Sequence, residues 1–123
     1  MLFGDEKTKG AIMRVIECSS FEELPAKALE CFSYPRVQNF FLSLDWFRVH
    51  FDTVLSGRSP LLFLISDEGG EPKALLCAVT DGKGRSIVGQ TSFYTIEYGM
   101  ATTDDRILPE ALTLLWQHVA KHH

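Results

Sequence analysis

The chain has 123 residues, of which 46% are hydrophobic and 23% charged, and its net charge is −4 at pH 7. This length suits one domain, and the apolar content excludes an intrinsically disordered chain. The acidic balance argues against nucleic acid as a partner, because binding phosphates needs a basic face. Its apolar runs are too short for a membrane span and its N-terminus does not resemble a secretory signal, so we expect a cytoplasmic protein without membrane contact.

Residues 1–10 are mostly polar and show no periodicity, which predicts a loose lead-in to a single domain over residues 11–123. A strand is predicted from Ala11 to Cys18, since this segment is rich in apolar and β-branched residues and is bounded by Gly10 and two serines. The three cysteines are widely spaced and odd in number, which indicates buried thiols rather than a disulfide framework or a metal knuckle.

Two helices are predicted next. The first begins at a capping box formed by Ser20 and Glu23, has Pro25 in its first turn and ends near Phe32. Its predicted buried face consists of Phe21, Leu24, Ala28, Cys31 and Phe32. The second helix begins between residues 39 and 43 and ends at Gly57. Its apolar stripe consists of Phe40, Leu44, Phe47, Phe51, Val54 and Leu55.

Three apolar runs, 61–66, 73–80 and 85–91, then follow, separated by the turns 67–70 and 81–84. Such short connections predict an antiparallel meander, because parallel neighbours need a long crossover. A fourth strand or an irregular aromatic segment is predicted over residues 93–98. A last helix is then capped by Asp104 or Asp105, with Pro109 in its first turn and one face lined by Leu108, Ala111, Leu112, Leu115 and Val119. The fold class is therefore α+β.

Three segments carry a resemblance to a known family: NFFLSLDWF at residues 39–47, DEGGEP at 67–72 followed by ALL at 74–76, and SFYTIEYG at 92–99. In this order, on a strand, two helices, a meander and a helix, they resemble the first half of GNAT-type acyltransferases of the FemAB-like and cellulose-biosynthesis-associated kinds. The chain departs from that pattern at Ser92, where asparagine is usual, and at Met100, where proline is common.

The resemblance implies N-acyl transfer from acyl-CoA to an amine, with Tyr94, Glu97 and Tyr98 in the acceptor groove. A tyrosine hydroxyl there would position or protonate the leaving group, and a carboxylate would accept the amine proton. The alternative is that both tyrosines pack structurally, with their hydroxyl groups at the rim.

The family holds the acyl-CoA pyrophosphate on a loop of the form Gln/Arg-x-x-Gly-x-Gly/Ala at the start of a helix. No segment of this chain fits that pattern, so acyl-CoA is implied by the resemblance alone and no cofactor-binding residue is predicted. We therefore expect an incomplete acyltransferase-like domain that is inactive as this chain alone, which leaves open whether the chain is an enzyme.

The remaining candidates are two tryptophans and a group of histidines. Trp46 and Trp116 could contact a ligand or partner, although packing at the edge of the core is the favoured explanation for Trp46. His118 and His122 have the spacing of a helical metal pair but lack the glutamate of a hydrolase motif, so no metal site is predicted and, with His123, only adventitious nickel binding is expected. The alternative function is a non-catalytic protein-interaction or homodimerisation module, which would use an exposed sheet edge or the last helix.

Overall fold

A computed structural model describes residues 12–81, 86–91 and 97–123. The described residues form an antiparallel sheet and three α-helices, which confirms the α+β fold class. The strands are β1 Met13–Cys18, β2 Ser59–Asp67, β3 Pro72–Thr80, β4 Ile87–Gly89 and β5 Ala101–Thr102. The helices are α1 Ala26–Phe32, α2 Leu44–Thr53 and α3 Leu108–His122, and 3-10 turns are formed by Phe21–Glu23, Phe40–Leu42 and Asp105–Ile107.

The sheet has the order β1-β2-β3-β4, as expected for a meander, and β5 pairs with the other half of β3. Strand β5 was not predicted from the sequence, because two residues carry no periodic signal. Of the predicted segment 93–98, residues 93–96 lie outside the described residues, and Glu97 and Tyr98 are not in a strand.

The hairpin between β2 and β3 forms at the predicted turn. The side chain of Asp67 accepts hydrogen bonds from the backbone N–H groups of Gly69 and Glu71, at 3.0 and 2.9 Å. Gly70 has φ +84°, a conformation that favours glycine, so the Gly69-Gly70 pair suits this turn. Most of the second predicted turn, at residues 82–84, lies outside the described residues.

Side-chain alternation along the strands creates two core layers. One face of the sheet packs against α1 and α2, and its buried strand residues are Cys18, Leu62, Leu64, Leu75, Cys77 and Ala101. The other face packs against α3, and its buried strand residues are Leu61, Phe63, Ile65, Ala74 and Ala78. Cys18 and Cys77 are buried as free thiols and Cys31 is half-buried, in agreement with the expected structural role. Among the described helices, none is both long and apolar enough to cross a lipid bilayer.

The first predicted helix is interrupted, which corrects the sequence-based boundary. Leu24 is extended, at φ −67° and ψ 137°, because the residue before a proline disfavours the helical region, and Pro25 becomes the N-cap of α1. The capping partner is also different: Glu23 accepts from the N–H and hydroxyl of Ser19, while the Ser20 side chain makes no capping hydrogen bond. The predicted buried face is otherwise right, with Cys31 half-buried.

Helix α2 is shorter than predicted. Ser43 is its N-cap and it ends at Thr53, before Gly57. Leu44 and Phe47 are buried as expected, whereas Phe40 and Val54 are 40% and 44% exposed because they lie beyond the two ends of the helix. The predicted stripe was therefore too long.

Pro109 lies in the first turn of α3, as predicted, but the N-cap of this helix is Ile107, which makes no side-chain capping hydrogen bond, rather than Asp104 or Asp105. Asp104 caps the 3-10 turn that leads into the helix, and its side chain accepts from the N–H of Arg106. Ala111 and Leu115 are buried, but Leu112 is 47% exposed. The inclusion of Leu112 in the buried face was wrong, because it is one residue, or about 100°, further round the helix than Ala111.

Candidate functional site

A cleft of about 320 Å³ lies between the segment before α2 and the segment around β5. It is lined by Arg36, Val37, Gln38, Asn39, Leu42, Met100, Ala101, Thr102 and Asp105. The first wall is the connection between α1 and the 3-10 turn Phe40–Leu42, and the second wall is the chain that enters and leaves β5. Residues distant in sequence therefore share one concave site.

Short polar side chains fix both walls. The Oδ1 atom of Asn39 accepts from the N–H of Phe41 at 3.0 Å, and its Nδ2 donates to Oε1 of Glu97 at 2.7 Å. On the other wall, the hydroxyl of Thr102 donates to Oδ1 of Asp105 at 3.1 Å. Asn39 thus connects the first wall to the segment that carries Glu97.

The charges at the cleft are mixed. Arg36 and Asp105 line it from opposite walls, and the carboxylate of Glu97 lies beside it through Asn39. Arg36, Glu97 and Asp105 are all exposed, so solvent screens the interactions between their charges. Such a site suits a small polar molecule that carries an ammonium group and a hydrogen-bonding or anionic group.

The three acceptor-groove residues predicted from the sequence are placed differently. Tyr94 lies outside the described residues. Glu97 is exposed and lies beside the cleft, where its carboxylate accepts a hydrogen bond from Asn39. Tyr98 does not line the cleft: its hydroxyl donates to the backbone oxygen of Cys77 at 2.5 Å, and its ring packs edge-on against Phe47 at 5.9 Å. Burial raises the pKa of the Tyr98 hydroxyl.

The two tryptophans differ in exposure. Trp46 is half-buried and stacks on His50, with ring centroids 4.7 Å apart, and its other ring neighbours are Phe40 and Phe41. Its indole nitrogen is buried and has no hydrogen-bond partner among the described residues. Trp116 on α3 is 72% exposed. Trp46 is therefore packed against neighbouring rings, and Trp116 faces solvent.

The 3-10 turn Asp105–Ile107, which leads from β5 into α3, is acidic at its start. The Asp104 side chain accepts the N–H of Arg106, and the paired Arg106 guanidinium lowers the pKa of this carboxyl to about 2. Asp105 adds a second carboxylate beside it. A phosphate needs free N–H groups at a helix start, so these carboxylates oppose phosphate binding there.

A second polar cluster joins β1 to the end of α3. Oε2 of Glu17 lies 2.5 Å from Nε2 of His118 and 2.7 Å from Nε2 of His123, and the three potential ligand atoms are all within 4.8 Å of one another. Burial acts to raise the pKa of Glu17, but hydrogen bonds from His123 and His118 outweigh it, so this pKa lies below its usual value.

The spacing of His118 and His122 was noted in the sequence, but no metal site was predicted there, and Glu17 was not a candidate residue. His122 packs beside His118, with ring centroids 4.6 Å apart, but is not part of the cluster. A signal was present in the strand: Glu17 has the same parity as Met13 and Val15, which pack toward α3. No spacing rule predicts His123, because it lies beyond the last helical residue and pairs with a residue more than a hundred positions away.

Comparison of the chain with protein families, with curated proteins and with solved structures found no match.

Proposed function

We propose that the chain provides the acceptor side of a GNAT-like N-acyltransferase domain and binds a primary amine in the cleft. Transfer from acyl-CoA would need a pyrophosphate loop, which this sequence does not contain. The 123 residues alone therefore bind the acceptor without acylating it.

One observation carries the proposal. Glu97, which the resemblance assigns to the acceptor groove, is hydrogen-bonded at 2.7 Å to Asn39, and Asn39 lines the cleft. The NFFLSLDWF and SFYTIEYG segments of the resemblance thus meet at this point. The order of strand, helices, meander and helix is consistent with the same interpretation.

The chemistry of the cleft suits an amine. An ammonium group would be attracted to Asp105 and Glu97, and a carboxylate near the reacting nitrogen can accept its proton. Arg36 would bind an anionic or carbonyl group elsewhere on the same molecule. The substrate class is therefore a small amine with a second polar group.

The test is an NMR titration of the chain with ethanolamine, lysine and spermidine, each compared with an uncharged analogue. Amines should shift the signals of residues 36–42 and 97–105, and the uncharged analogues should not. Asp105→Asn and Glu97→Gln should each weaken binding about two- to fivefold, since an exposed ion pair contributes up to about 1 kcal/mol. Glu30→Gln, an exposed acid on α1, is the matched control. Equal affinity for amines and uncharged analogues would refute the proposed acceptor.

Calorimetry with acetyl-CoA examines the other part of the proposal. We expect no measurable binding, because Asp104 and Asp105 lie in the turn that leads into α3, where their negative charges would repel a phosphate. Tight one-to-one binding of acetyl-CoA would refute the expectation that the chain lacks an acyl-CoA site. The NMR titration tests amine binding independently of this result.

A homodimerisation module is the second candidate. Leu112 and Trp116 are 47% and 72% exposed and lie four residues apart, so they share one face of α3. We propose that a second copy of the chain would cover this face. Light scattering over a wide concentration range should then show a dimer that Trp116→Ala weakens and Gln117→Ala, on the same helix, does not. A monomer at every concentration would exclude it.

A further inference from the structure

The Glu17, His118 and His123 cluster shares no residue with the cleft and is not needed for amine binding. Its three side chains come from two elements that meet at one edge of the molecule. Glu17 lies on β1, and His118 lies near the end of α3. The N–H of His123 donates to the carbonyl oxygen of Val119 at 2.9 Å, so the helical hydrogen-bond pattern extends to the last residue and places its side chain near that of His118.

The imidazoles are held by packing as well as by the carboxylate. The buried ring of Phe63 makes edge-on contacts with both, at centroid distances of 6.0 Å to His118 and 6.3 Å to His123. The side chains of His118, His123 and Glu17 are 18%, 25% and 29% exposed. The cluster is therefore largely buried but still accessible to solvent.

The donor set has a definite chemical preference. Two imidazole nitrogens and one carboxylate oxygen suit zinc and neighbouring transition metals, whereas calcium and magnesium prefer sites made of oxygen atoms alone. Metal bonds to such atoms are about 2.0–2.2 Å long. The present contacts of Glu17 Oε2 with the two Nε2 atoms are 2.5 and 2.7 Å, so a small separation of the carboxylate would admit an ion among all three atoms.

We propose that Glu17, His118 and His123 bind a divalent transition-metal ion, with zinc as the expected metal. The cation would lie where the two Nε2 atoms now meet the carboxylate, so each imidazole would bind it through an Nε2 lone pair and carry its N–H on Nδ1. Three protein ligands leave a fourth position open to water or to a ligand.

The alternative to a built site is chelation by the adjacent histidines at residues 122 and 123 alone. The two possibilities differ in their dependence on Glu17, which is distant in sequence and lies on β1. His122 provides a matched control, because it is on the same helix but is not a member of the cluster. The test uses the untagged full chain.

Zinc binding is measured by calorimetry and by competition with a chromophoric chelator. The wild-type chain should bind one Zn²⁺, and zinc should raise its melting temperature. Glu17→Gln, His118→Gln and His123→Gln should each weaken binding at least about 10- to 100-fold, as expected when a metal site loses part of its coordination. His122→Gln should change the affinity by no more than about twofold. Wild-type affinity in Glu17→Gln, or no binding by the wild type, would overturn the proposal.

Cobalt provides a readout of coordination geometry in addition to affinity. Co²⁺ bound by this set should show the intense visible bands of a four- or five-coordinate ion, and Glu17→Gln should lose them. The weak spectrum of six-coordinate aqueous Co²⁺ in the wild-type chain would contradict the proposed geometry. Circular dichroism establishes that each variant is folded before either measurement.

Discussion

At the scale of single residues, Tyr98 has a structural role at the point where β3 changes partner. The backbone oxygen of Cys77 accepts from the N–H of Gln90 at 3.2 Å and from the hydroxyl of Tyr98 at 2.5 Å. Strand β4 ends at Gly89, and β5 pairs further along β3. The tyrosine therefore occupies the gap between the two short strands.

This arrangement depends on glycine at position 89. A Cβ atom added to Gly89 would lie 2.6 Å from two ring atoms of Tyr98, closer than real contacts allow. Gly89→Ala should lower the free energy of unfolding by about 1–3 kcal/mol, the usual range for overpacking. The measurement is urea denaturation, with the midpoint and slope compared between variants.

Gly57→Ala is the matched control, because nothing lies within 4 Å of its added Cβ atom. It should leave stability unchanged or raise it by up to about 1 kcal/mol. In the double variant Gly89→Ala, Tyr98→Ala, the cost of the alanine at position 89 should largely disappear. If Gly89→Ala and Gly57→Ala are equally stable, the proposed contact is wrong.

At the scale of elements, Ser43 connects the 3-10 turn of the cleft wall to α2. Its buried hydroxyl donates to the carbonyl oxygen of Phe40 at 2.6 Å and accepts from the N–H of Trp46 at 3.4 Å. Ser43→Ala should destabilise the chain by about 0.5–2 kcal/mol, the cost of losing an N-cap. Thermal denaturation compares it with Ser56→Ala at an exposed position, which should behave as wild type. An unchanged melting temperature in Ser43→Ala would contradict this role.

The elements that could be predicted are those with a continuous or periodic apolar pattern. Strands β2 and β3 follow from apolar runs bounded by turn residues, and the buried positions Leu44, Phe47, Ala111 and Leu115 follow from helical spacing. The ends of the helices were harder to predict, because the interruption at Leu24 depends on Pro25 and the exposure of Val54 depends on where α2 ends. Local periodicity does not contain that information.

The candidate sites were less accessible from the sequence because they depend on contacts between distant segments. The resemblance led to Glu97, but its hydrogen bond to Asn39 joins residues 58 positions apart. The contact of Glu17 with His118 spans 101 positions. Strand parity alone would have put Glu17 on the α3 side, and only the assembled fold adds His123.

At the scale of the whole molecule, the groups with lowered pKa values make stability fall on acidification, and His50 and Asp104 are two of them. Burial lowers the pKa of His50, with a hydrogen bond to the Gln90 backbone acting the other way, and the side chain is 1% exposed. Hydrogen bonds from Arg106 lower the pKa of Asp104 to about 2. In both cases the unfolded state binds protons more readily, so protonation favours unfolding.

The chain should therefore lose stability as it is acidified, in two windows. As pH falls below about 6.5, the usual pKa of histidine, His50 binds a proton in the unfolded chain but stays neutral in the folded chain, where it is buried. This difference favours the unfolded state. A second loss follows between about pH 4 and pH 2, as Asp104 is protonated first in the unfolded and then in the folded state. Urea denaturation at a series of pH values should show His50→Gln flattening the first window and Asp104→Asn the second. His122→Gln, at an exposed position on α3, should retain the wild-type slope, and an unaltered first window in His50→Gln would exclude His50 as its source.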